Sequence, residues 1–163
     1  MSEPSDQNTV TPSDAALFFQ LFNEIGIISQ LASSSFEKAL LHGLTQAQFN
    51  VLNHCVRLGD DKTPAHLAAA FQVTRGTMTS TLARLEAKSF IKVEPDPNDG
   101  RSKRVFLTAA GRAARADSLA AAAPLLSRVA IEFSREEAED LLGPLQALRQ
   151  WLDAERDADF DGV

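Results

Sequence analysis

Between Lys62 and Arg115 the sequence gathers the side chains that bind polyanions and read base edges. Ten basic residues stand there: Lys62, Arg75, Arg84, Lys88, Lys92, Arg101, Lys103, Arg104, Arg112 and Arg115. They face four acids, Glu86, Glu94, Asp96 and Asp99, a local balance of +6 in a chain of net charge −6. The flanks are acidic, −5 over residues 1–61 and −7 over 116–163. A polyanion is drawn to such a centre and repelled by its arms. Two clusters carry the chemistry. The first is Thr74, Arg75, Gly76, Thr77, Thr79, Ser80 and Arg84. Short hydroxyl side chains mixed with arginine suit phosphates and base edges. Arg84 could meet a phosphate or pair with an acid. Gly76 removes a side chain one turn into a helix, which weakens the helix but admits another backbone. The second cluster is Asp99, Arg101, Lys103 and Arg104, in a stretch dense in turn formers.

Other chemistries find less support. There is no Gly-rich phosphate loop, no Ser or Cys nucleophile motif and no paired carboxylates in a recognisable setting, so a catalytic site is not expected. His42, His54 and His66 lack metal-ligand spacing, and no metal or other cofactor is expected. The single cysteine, Cys55, cannot form an internal disulfide and reads as a small buried side chain. No uninterrupted apolar run approaches the roughly 18 residues of a membrane span. Met1 to Val10 is polar and acidic, unlike a signal peptide. The expectation is a cytoplasmic protein that does not engage a membrane.

The elements that must position the clusters can be read from caps and periodicity. Residues 1–12 are polar, with two prolines, and are expected to be disordered. From Ser13, Phe18, Leu21, Phe22, Ile25, Ile28, Ala32, Phe36 and Leu40 recur at helical spacing until Gly43. Thr45-Gln46-Ala47-Gln48 is a capping box that opens a second helix, which runs to about Leu58. Thr63-Pro64 opens a short third helix. Thr74 caps a fourth, whose core face is Met78, Leu82 and Leu85. The apolar pairs Ile91/Val93 and Val105/Leu107 predict a β-hairpin with a long loop from Pro95 to Ser102. Thr108 caps an alanine-rich fifth helix that Pro124 should kink. Ser134 to Glu137 is a further capping box, opening a sixth helix with Leu141, Leu142, Leu145, Leu148 and Leu152 on one stripe. The order α-α-α-α-β-β-α-α is mainly α with a small β-hairpin wing. It describes a winged helix-turn-helix; the helical dimerisation domain beside it is what the resemblance below implies.

With those elements in place, the chain resembles the MarR family of transcription regulators. Asp99-Gly100-Arg101-Ser102-Lys103-Arg104-Val105-Phe106-Leu107-Thr108, followed by Gly111, is similar to that family's wing signature. Val73 to Leu85 resembles its recognition helix. The likeness covers roughly residues 13–155. It implies a helical dimerisation domain at 13–43 and 109–157, a winged DNA-binding domain at 44–108 and a tail at 158–163. It also implies that Arg101 enters a minor groove and that Asp99 orients a wing arginine. One departure is Ser89, where the family commonly has Gly after the recognition helix; a left-handed helix terminus there would be strained by about 1 kcal/mol. The peroxide-sensing branch carries a reactive Cys near the start of the first helix, and this chain has none there.

The expected function is a homodimeric, sequence-specific regulator of transcription that binds double-stranded DNA at a near-palindrome, acts as a repressor and responds to a small ligand. The ligand crevice implied by the family would draw on Phe22, Ile25, Ser29, Ser33, His42 and Phe49, and would favour a small aromatic or amphipathic effector. The competing reading is a winged-helix module that binds another protein and not a DNA sequence.

Overall fold

The computed structural model describes residues 11–97 and 99–160, the side chains of 156–160 excepted. Eight elements follow in order: α1 (Pro12–Glu37), α2 (Gln46–Leu58), α3 (Pro64–Ala70), α4 (Arg75–Ala87), β1 (Ile91–Asp96), β2 (Asp99–Leu107), α5 (Ala109–Glu132) and α6 (Arg135–Phe160). Of the stretch expected to be disordered, 1–10 lies outside the described residues. Thr11 and Pro12 instead start α1, with Thr11 and Asp14 forming a reciprocal capping box and Pro12 in the first turn. Of the expected tail, 158–160 continue α6, and 161–163 lie outside the described residues.

The caps explain why the helices begin where they do. Thr45 accepts from the N–H of Gln48 at 3.3 Å, and the Gln48 side chain accepts from the N–H of Thr45 at 3.3 Å. Thr63 and Thr74 accept from the third residue of their helices, His66 and Thr77, each at 3.1 Å. Ser134 and Glu137 make the same reciprocal pair at 3.2 and 2.8 Å. Each side-chain oxygen satisfies an N–H that the helix itself cannot.

The core of the winged part is continuous. Leu52, Leu67, Leu85 and Val105 are 0% exposed, and Met78, Leu82, Ile91 and Cys55 are buried with them. Ala114 of α5 closes that core. Gly111 shows how tightly α5 seats: a Cβ there would lie 2.0 Å from the Phe90 carbonyl oxygen. Thr108 sets the approach, accepting from the N–H of Gly111 at 3.0 Å and directing its hydroxyl toward the carbonyls of Ser89 and Phe90 at 2.8 and 3.0 Å. Cys55, at 2% exposure, has its thiol pKa pushed up to about 11, chiefly by burial.

The hairpin is longer than its apolar pairs predict. β1 and β2 pair antiparallel from Ile91↔Leu107 to Asp96↔Asp99, with an irregularity between Pro95 and Asp96. The turn formers Pro95 to Ser102 are therefore mostly ladder rather than loop. Pro95 is tolerated because β1 is an edge strand, where a missing N–H costs little. Val105 also bridges to Lys62, so the α2–α3 turn lies along the other edge of β2.

The described residues form two compact units, one up to Ala122 and one from Ala123. α5 is helical on both sides of that division and continues through Pro124. In the first unit, α1 buries none of its 26 residues. Leu17, Phe18, Phe19, Leu21, Phe22, Ile27, Ile28 and Leu31 are 39–75% exposed. Contrary to the run-length reading, α1 contains an 18-residue window of mean hydropathy at least 1.2 and is long and apolar enough to cross a membrane. Gln20, Asn23, Glu24 and Gln30 break the run, while the large apolar residues around them keep the average high. In the second unit, taken by itself, Leu141, Leu142, Leu145, Trp151 and Leu152 of α6 are 41–58% exposed.

Candidate nucleic-acid interface

The recognition-helix cluster comes together as its spacing implied. Met78, Leu82 and Leu85 turn α4 onto the core. Arg75, Gly76, Thr77, Thr79, Ser80 and Arg84 are consequently exposed together, with Thr74 at their head as the cap. The hydroxyls differ in what they still offer. Thr79 donates to the Arg75 carbonyl at 2.8 Å, so it presents a methyl and lone pairs outward. Thr77 shares a 2.9 Å hydrogen bond with Thr74. The Ser80 hydroxyl has no partner among the described residues. Neither Arg75 nor Arg84 has an acidic partner among the described residues, so the alternative of an ion-paired Arg84 is not what forms. A Cβ on Gly76 would meet only Thr74 Oγ1, at 3.9 Å. Packing inside the chain therefore does not require glycine there.

The wing sorts its cations into free and committed. Arg101 and Lys103 are exposed, without an acidic partner among the described residues. Asp99 Oδ1 accepts from the N–H of Arg101 at 3.0 Å. It thereby fixes the backbone that carries the arginine, where the resemblance had implied only that a wing arginine is oriented. Arg104 departs from the expectation of a DNA-facing cation. Its Nε donates to Asp96 at 2.7 Å, and its guanidinium meets the Asp61 carboxylate at 3.0 Å. Asp96, first, and Asp61 hold that guanidinium firmly protonated. Those acids lie 8 and 43 residues away in sequence, and only folding brings Asp61 near.

Other members of the basic segment are also internal struts. Arg112 pairs with Asp60 at 3.0 Å, and Arg115 donates to the Asn53 side-chain oxygen at 2.9 and 3.2 Å. Lys88 donates to the carbonyls of His42 and Gly43. The raw +6 therefore overstates the free positive surface, which rests on Lys62, Arg75, Arg84, Lys92, Arg101 and Lys103. Sequence reasoning missed Asp60 and Asp61 as partners of the wing. The available signal was two adjacent acids beside a segment rich in arginine.

The six ligand candidates do not gather around one described cavity. Phe49 is core, edge-on to Phe36 with ring centroids 4.9 Å apart. His42 meets Asp117 at 2.8 Å. Phe22 and Ser29 are exposed on α1, and Ile25 and Ser33 are half-buried there. An apolar hollow of about 160 Å³ lies elsewhere, lined by Ala47, Asn50, Val51, Phe71, Val73, Thr77, Met78 and Thr81, none of them among the six. Among the described residues no three His, Cys, Asp or Glu group as metal ligands would. The His54 imidazole is held below its usual pKa, first by burial.

With this geometry in hand, the chain can be set beside known proteins. Residues 42–102 match the model of the MarR family, and they span the winged part from the start of α2 through the wing tip. The chain is 30% identical over 98 residues to the transcriptional activatory protein BadR of Rhodopseudomonas palustris, covering 59% of this chain and 54% of that protein. It thus spans about half of BadR. It is 35% identical over 101 residues to the multiple antibiotic resistance protein MarR of Escherichia coli, covering 57% of this chain and 69% of MarR. A crystal structure of a mutant of the same E. coli MarR with operator DNA superposes with TM-score 0.68 at 26% identity, over 80% of this chain and 94% of that one. The helix order, the paired hairpin and the motif from Asp99 to Gly111 fall on the part these relatives share, and on them the chain belongs to the MarR family of transcription regulators.

Proposed function

We propose that this chain is a sequence-specific regulator that binds double-stranded DNA as a homodimer, α4 entering the major groove and the hairpin reaching a neighbouring minor groove. The observation that carries the reading is the outward face of α4. Two arginines without an acidic partner among the described residues share that face with three hydroxyl residues and a glycine that internal packing does not need. Such a face matches the chemistry of phosphates and base edges. The E. coli relative crystallised with operator DNA supports it. The DNA contacts assigned are Thr74, Arg75, Gly76, Thr77, Thr79, Ser80, Arg84, Arg101 and Lys103, with Asp99 setting the wing tip.

The domain division proposed is functional. Helical segments 13–43 and 109–157 carry dimerisation, and 44–108 meets DNA. The exposed apolar residues of α1, and separately those of α6, are what a second copy would cover. A two-fold dimer with recognition helices about 34 Å apart binds a near-palindrome. Repression follows where that site overlaps a promoter, and the place of work is the cytoplasm. The hollow beside Thr77 and Thr81 has the volume of a single aromatic ring. That supports a small aromatic or amphipathic effector held there.

Gel-shift titration against DNA upstream of the chain's own gene, from low to physiological salt, tests the proposal. Several phosphate contacts per subunit require affinity to fall steeply with salt. A flat dependence, or equal affinity for unrelated DNA, would favour the protein-binding module instead.

A further inference from the structure

The hairpin is held from outside as well as by its own ladder. The N–H of Asp61 donates to the Val105 carbonyl at 2.9 Å, and the N–H of Val105 donates to the Lys62 carbonyl at 2.9 Å. The N–H of Leu107 donates to the Asp60 carboxylate at 3.1 Å, and the same oxygen takes Arg112 of α5 at 3.0 Å. Arg104 adds a side-chain link. It joins Asp96, at the end of β1 and 7% exposed, to Asp61 in the α2–α3 turn. Its guanidinium also reaches the Asp61 carbonyl at 3.3 Å. Asp61 sits at φ 69°, a left-handed conformation that most residues avoid and aspartate tolerates. The turn is thus shaped so that its acid faces the wing.

We infer that Arg104 is a positioning residue, which with Asp96 and Asp61 fixes the wing's pose so that Arg101 and Lys103 are carried to DNA. It does not itself bind phosphate. A planar fork already donating through Nε and Nη1 to two carboxylates has its direction set and its charge offset by those acids. Breaking the link at Asp61 leaves the fold's core untouched, because that side chain is 51% exposed. The inference rests on the DNA reading above, and it reverses the sign expected from charge alone. Removing Asp61 makes the domain more positive, so pure electrostatics requires Asp61→Ala to bind DNA more tightly. A positioning role requires it to bind more weakly.

The experiment measures DNA affinity over a salt series for the full-length protein and for Asp61→Ala, Arg104→Gln, Arg101→Ala and Arg104→Gln/Arg101→Ala, with amide hydrogen exchange on each free protein. Asp61→Ala and Arg104→Gln should each weaken binding by about tenfold, a typical coupling between contacting residues. Their salt slopes should equal that of the wild type. Arg101→Ala should lower the slope by about 0.9, as loss of one phosphate contact does. Adding Arg104→Gln to Arg101→Ala should cost less than Arg104→Gln does alone, since one of the two cations it places is already gone. In the free proteins, exchange at Val105 and Leu107 should quicken in both clamp variants. Tighter binding by Asp61→Ala, a lowered slope for Arg104→Gln, or full additivity with Arg101→Ala overturns the inference. A wild type that binds no DNA overturns the reading beneath it instead, and the exchange data then report whether the clamp itself exists.

Discussion

α1 and the winged part share one chain and one compact unit, yet they are finished to different degrees. From α2 to β2 the apolar side chains have found each other, and Leu52, Leu67, Leu85 and Val105 are wholly enclosed. α1 is the longer and more apolar helix, and it encloses none of its residues. The winged part can be explained by its own sequence. α1 carries eight large exposed apolar residues that nothing described here covers. Exposed patches on that scale mark surfaces meant for a partner. One region is folded by its neighbours in the chain, whereas the other leaves its apolar face uncovered among the described residues.

Substitutions in the two regions should therefore fail in different ways. The largest effect is expected at Gly111, where a Cβ would sit 2.0 Å from a backbone oxygen that cannot step aside. Gly111→Ala should lose about 3 kcal/mol, read by urea denaturation. Gly26→Ala in α1 is the counterpart. Nothing lies within 4 Å of that Cβ, so the substitution should be neutral or gain up to about 1 kcal/mol. A mild Gly111→Ala would mean the α5 seat is looser than described.

Association comes next in size. Ile28→Asp, at a position 61% exposed, should leave melting of the winged part unchanged. It should raise the dimer dissociation constant by about thirtyfold or more, the loss of a roughly 2 kcal/mol contact. Sedimentation at several concentrations checks it. Unaltered assembly would remove α1 from the interface.

Gly76 sharpens the contrast within the winged part. Gly76→Ala should raise stability by about 0.5–1 kcal/mol through helix propensity, because no internal neighbour objects. DNA affinity should fall by about tenfold if another backbone approaches there. Improved stability with undiminished binding would make Gly76 an ordinary surface residue. The smallest effect is Ser89→Gly. Ser89 has φ 58°, the left-handed terminus that the family resemblance implied for this position. Relief of that strain should add about 1 kcal/mol or less, visible as a modest rise in melting temperature.

What could be read from the sequence was what depends on near neighbours. Thr45, Thr63, Thr74 and Ser134 announced their helices because a cap needs only the next three residues. The face of α4 followed from the spacing of Met78, Leu82 and Leu85. The hairpin was placed but drawn too short, since Pro95 and the turn formers after it pair across strands, a relation that composition hides. The roles of the arginines were least legible. Arg101 and Arg104 sit three apart in one strand, and one has no acidic partner among the described residues while the other is clamped by an acid 43 residues earlier. Nothing local distinguishes them. Two of the ligand candidates have contacts that local sequence does not announce either: Phe49 packs on Phe36 and His42 meets Asp117.

The enclosed Cys55 gives this chain a clock. Thiol reagents attack the thiolate, and a side chain 2% exposed with a pKa near 11 offers almost none at neutral pH. Supplied in excess, such a reagent stamps each molecule once, at the moment the helices around Cys55 part. Because there is one cysteine in the chain, the labelling curve counts those moments and no others. Run with and without DNA, or before and after α1 has found its partner, the same clock tells how strongly each event restrains the breathing of the winged part.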